Sequence, residues 1–135
     1  MISETTKPIN FFKFEGLRIY HKSVDFTNAI LSLCNTTQTA AQKLLIDQFV
    51  VEAGLISANI IEGASHSKTE FTDYLQEAKS NIGKCVMLCA LASKQSLIDE
   101  TQESDIRNEL MELTKMVGAL ILSFQKHESV NNPEV

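Results

Sequence analysis

The chain has 135 residues, a formal net charge of −5 and 44% hydrophobic residues. That length fits one domain able to bury a core without disulfides or metal, and the acidic balance weighs against generic binding to polyanions. With two prolines, five glycines and no tryptophan, turn formers are too scarce for an architecture of many short strands, and long helices are expected.

Residues 1–13 read as an N-terminal extension. Pro8 and Asn10 discourage helix there, while Phe11, Phe12 and Phe14 are too aromatic for a solvated tail and are expected to pack on the main body or on a neighbouring subunit. The start Met1-Ile2-Ser3-Glu4 has no basic stretch leading into an apolar run, so it does not read as a signal peptide. A first helix is expected from Glu15 to Cys34, with Leu17, Tyr20, Val24, Thr27 and Leu31 as its apolar stripe. Asn35-Thr36-Thr37 breaks the pattern, and Thr37 or Thr39 is placed to cap the next helix.

A second helix is expected from Thr39 to Ile61 or Glu62. Ile46, Phe49, Ala53, Ile56 and Ile60 form one stripe, and Leu44, Val51, Leu55 and Ala58 form another. A helix apolar on two sides is buried on two sides, which in a small bundle points to a subunit interface. Gln48, Glu52, Asn59 and Glu62 add a polar strip. It reads either as a solvent face or as a hydrogen-bond network in which Asn59 and Glu62 meet Tyr74, Ser57 or the first amides of the third helix, since a buried carboxylate requires donors. Gly63 is expected to end the helix through its backbone freedom. Ser67 and Glu70 have the spacing of a capping box.

The third helix is expected from Lys68 to Ser93, with Phe71, Leu75, Ala78, Ile82, Cys85, Cys89 and Ala92 stepping by four and three as in coiled coils. Gly83 within it suggests close helix approach. The fourth is expected from Gln102 to Gln125 on Ile106, Leu110, Leu113, Val117, Leu120 and Phe124, leaving residues 128–135 as a flexible tail. The fold class that results is all-α, an antiparallel up-down-up-down four-helix bundle over residues 14–127.

Chemistry finds little purchase in these residues. An odd number of cysteines without a secretory signal suggests a reducing compartment, and the cytoplasm is the expected location. Cys85 and Cys89 share the apolar face of the third helix and read as small buried hydrophobes. Neither paired Glu-x-x-His motifs nor a nucleophile beside a positioned base is present, so no metal, no cofactor and no catalytic residue is expected. No apolar stretch looks long enough to span a bilayer. Lys13, Arg18 and Lys22 are the best residues for a nucleic-acid patch, although they are not a basic run.

Two blocks carry a resemblance. Ser57-Ala58-Asn59-Ile60-Ile61-Glu62-Gly63 with Ser67-Lys68-Thr69-Glu70-Phe71, and Phe14-Glu15-Gly16-Leu17-Arg18-Ile19-Tyr20 upstream of it, resemble the signature of a bacterial four-helix-bundle family. Some of its members are encoded by intervening sequences inside large-subunit ribosomal RNA genes, and a relative is the accessory variability protein of diversity-generating retroelements. The resemblance implies a ring-shaped homo-oligomer, a pentamer. It implies a non-enzymatic scaffold that binds a protein or nucleoprotein complex with a reverse transcriptase and RNA as the model partners. The alternative is direct binding of RNA or DNA linked to the intervening sequences. On the residues themselves, Asn59, Glu62, Ser67, Glu70 and Tyr74 are expected to form a corner or interface network.

Overall fold

The computed structural model of the protein describes residues 12–35 and 38–131, with side chains for 12–33 and 38–126. The readings placed on Pro8, Asn10, Phe11, Thr37 and residues 132–135, and on the side chains of Cys34 and His127, lie outside these. Helices α1 (Arg18–Leu31), α2 (Ala40–Ala64), α3 (Lys68–Lys94) and α4 (Glu100–Asn131) follow one another, with short 3-10 turns at Lys13–Gly16 and Ser32–Asn35 on either side of α1. No strand occurs among the described residues. α1 packs on α2 and α4, α2 on α3, and α3 on α4, which makes a four-helix bundle.

Local chemistry sets the helix starts. Thr39 caps α2: the Gln42 backbone N–H donates to Thr39 Oγ1 at 3.1 Å and the Thr39 N–H donates to Gln42 Oε1 at 3.0 Å. This is a complete capping box. Asp99 and Gln102 repeat the exchange at 2.8 and 2.9 Å, so α4 starts at Glu100 rather than at Gln102 as expected. It also runs past Gln125 to Asn131, because no glycine or proline intervenes between Gly118 and Pro133. Between α3 and α4 the chain turns through Ser96 in the left-handed region, φ 57°.

The first stripe expected on α2 and the stripe expected on α3 are buried along their whole length. Phe49, Ala53, Ile56 and Ile60 share one core with Leu75, Ala78, Ile82, Cys85 and Cys89, and Leu110, Leu113 and Val117 join it from α4. Each large side chain so buried contributes about 1.5–3 kcal/mol. α1 differs from expectation. Its buried residues are Ile19, Ser23, Phe26 and Ile30, whereas Val24 and Leu31 are exposed. The inner row includes a serine made compatible with burial by two hydrogen bonds, from Ser23 Oγ to Tyr20 O and between Ser23 Oγ and Ser57 Oγ, both 2.7 Å.

Two glycine readings also change. Gly63 lies inside α2 with ordinary helical backbone. What its missing side chain provides is contact: a Cβ there would meet Phe71 Cδ1 at 2.5 Å and Tyr74 Cβ at 2.8 Å. Gly83, read as a close-approach residue, instead faces open space, with nothing within 4 Å of an added Cβ.

The second stripe of α2 has no cover among the described residues. Leu44 is 72% exposed, Val51 57% and Leu55 40%. By length and composition α2 would suffice to cross a membrane, contrary to the reading from apolar runs. Asp47, Gln48 and Glu52 break the runs without lowering the helix-wide average much.

Candidate functional site

The α2–α3 corner gathers four of the five residues expected there. Where α2 ends, His66 stands between two carboxylates, its Nε2 3.3 Å from Glu62 Oε1 and its Nδ1 2.9 Å from Glu70 Oε2. Its ring stacks on Tyr74, centroids 5.2 Å apart. The Glu70 N–H donates to Ser67 Oγ at 3.3 Å, and Ser67 Oγ donates to Glu70 Oε1 at 3.2 Å. Only half of the expected capping box therefore forms, because the Glu70 carboxylate turns toward His66 and the Ser67 hydroxyl instead of the Ser67 N–H. His66 was not expected in this network; its spacing of four from both Glu62 and Glu70 is the sequence feature that pairs it with them. Glu62 itself is largely exposed.

Asn59, the fifth residue, belongs to a different cluster. Its Nδ2 donates to Asn81 Oδ1 at 2.8 Å and to Leu55 O at 3.1 Å, and Asn81 Nδ2 donates to Glu52 Oε2 at 3.1 Å. Glu52 is 9% exposed and Asn81 6%. A buried amide thus supplies the donor that the Glu52 carboxylate needs, and no Lys, Arg or His forms an ion pair with Glu52 among the described residues. The partners expected for Asn59 were wrong because the network runs across the α2–α3 seam at mid-helix, where Asn81 sits in the buried row of α3. Ser57 faces the other way, toward Ser23 on α1.

Beside the corner lies a cavity of about 400 Å³ between the Lys13–Gly16 turn and the end of α2, lined by Phe12, Lys13, Phe14, Ile61, Glu62 and His66 among others. Phe14 packs edge-on against Tyr20 at 4.8 Å and stacks with Phe12 at 5.6 Å, so these aromatics do lie on the bundle. On another side, Leu17, Ile19, Met116 and Leu120 line an almost wholly apolar groove of about 310 Å³ between α1 and α4.

Residues 15–119, from the first 3-10 turn well into α4, match the family model described as 23S rRNA-intervening sequence protein. The chain belongs to that family. No curated protein matches it.

In this family member the three basic residues have different surroundings. Lys22 reaches across to α4 and pairs with Glu109 at 3.3 Å. Arg18, one turn before it, is exposed at the rim of the α1–α4 groove. Lys13 lies beside Glu62 and His66 in the corner cavity. The Cys85 and Cys89 thiols are buried and free. Burial, with Glu52 and Cys89 adding to it, pushes Cys85 up to about 12. Burial and Glu103 raise Cys89 as well, against the lowering effect of Arg107. Such thiols are protonated and inert at neutral pH. Among the described residues no group of three His, Cys, Asp or Glu side chains is placed to hold a metal ion.

Proposed function

We propose that the protein is a non-enzymatic, cytoplasmic homo-oligomeric scaffold that holds a protein or nucleoprotein partner. The observation that carries this reading is the uncovered row Leu44, Val51 and Leu55 on α2. Water-exposed apolar rows of this kind mark association surfaces. A five-membered ring and a reverse-transcriptase complex as partner follow from the family resemblance. Pairings such as Phe26 with Phe49, Asn59 with Asn81, Phe71 with Phe124 and Cys89 with Glu103 support an antiparallel up-down-up-down course of the helices. The −5 charge and the engagement of Lys22 by Glu109 favour a scaffold over direct nucleic-acid binding. The exposed Arg18, with no ion pair among the described residues, is the observation that keeps direct RNA binding as the second reading.

Light scattering tests this on the wild type and on the double variant Val51→Glu/Leu55→Glu, alone and with structured RNA at low salt. The wild type is expected to be oligomeric, the variant monomeric, and both indifferent to RNA. A monomeric wild type, or a variant of wild-type size, would overturn the oligomer. RNA binding that weakens as salt rises would favour the second reading.

A further inference from the structure

The uncovered α2 row is a ridge, and the α1–α4 groove is a hollow lined by apolar side chains. They lie on different flanks of the bundle, since α2 packs on α1 and α3 but not on α4. Their charges are also opposite. Asp47 sits on the ridge between Leu44 and Val51, and its ion pair is a solvent-exposed one with Lys43 at 3.4 Å, worth little in water. At the groove stands Arg18, the first residue of α1. That helix begins at Leu17 without a side-chain cap and with no acidic residue in its first turn, so the positive end of its dipole adds to the arginine.

We infer that the groove between α1 and α4 of one copy receives the α2 ridge of a second copy, with Val51 and Leu55 entering among Leu17, Ile19, Met116 and Leu120 and Asp47 set against Arg18. The contact is head-to-tail: each copy offers a ridge to one neighbour and a groove to another. A self-complementary pairing of two ridges would bring the two Asp47 side chains to the same contact and leave the groove empty. The inference rests on the oligomeric reading above and adds the second half of the interface.

Complementation between two broken surfaces tests it. Val51→Glu/Leu55→Glu breaks the ridge. Ala119→Glu/Ser123→Glu fills the groove from two exposed positions and leaves the core untouched. Circular dichroism and thermal melting confirm that each variant folds. In light scattering each variant alone is expected to be monomeric, and an equimolar mixture is expected to form a one-to-one dimer through the intact ridge of one and the intact groove of the other. Arg18→Glu in the otherwise native chain is expected to weaken assembly at least tenfold. A groove variant that keeps wild-type size, or a mixture that stays monomeric, overturns the head-to-tail contact while leaving self-association standing. A monomeric wild type that sediments with lipid vesicles overturns the oligomeric reading as well, and assigns the ridge to a membrane.

Discussion

Gly63 shows how a single missing atom shapes the corner. Adding one carbon there drives it into the Phe71 ring and the Tyr74 Cβ, and the latter belongs to a helix that cannot move without disturbing its own packing. Gly63→Ala is therefore expected to lose about 1–3 kcal/mol, measured by denaturant melting, although alanine is the better helix former. Asn81 is a second such position. Asn81→Ala removes the donor to Glu52 and the acceptor from Asn59 together, and is expected to cost about 1–3 kcal/mol by the same measurement. Cys85 makes a pH-dependent contribution. Its folded-state pKa of about 12 lies above the ordinary 9.0, so the folded chain holds that proton more tightly. The associated stability is complete below pH 9.0 and lost as pH rises toward about 12. Melting between those limits is expected to fall more steeply for the wild type than for Cys85→Ala.

The helices were largely readable from the chain, and the reasons are specific. Uninterrupted steps of four and three leave one buried face for α3, from Phe71 to Ala92, and the structure buries that face. α1 was misread because its inner row passes through Ser23, which hydropathy scores as a surface residue; the hydroxyl of Ser57, 34 residues away, supplies one of the two hydrogen bonds that make its burial cheap. The same non-local dependence hid the Glu52–Asn81–Asn59 relay. Spacing puts Glu52 and Asn59 on one side of α2, but nothing in either helix alone says that Asn81 comes opposite. The corner was easier, since Glu62, His66, Ser67 and Glu70 lie within nine residues, and local spacing governs local contacts. Even there the partner of Glu70 was not foreseen, because a histidine four residues back competes with the backbone for the carboxylate.

Over the whole molecule, burial is unevenly distributed. α2 contributes more to the core than α1 and yet presents Leu44, Val51 and Leu55 to water. A monomer would gain little from that arrangement, whereas covering the row removes apolar surface at about 25 cal/mol per Å² before the cost of association. Glu52 lies next to that row in sequence and is held by an amide in place of a cation. The carboxylate therefore stays satisfied whether or not a neighbour is docked.

The far end of the α2–α3 pair has its own tie. Gln42 uses its Oε1 in the α2 cap and its Nε2 to donate to Gln95 O, 2.8 Å away at the end of α3. One side chain thus terminates two helices. Neither end can fray without releasing the other, so in hydrogen exchange the amides at both ends belong to one opening unit, while the corner at His66, tied by its own local contacts, is free to open separately.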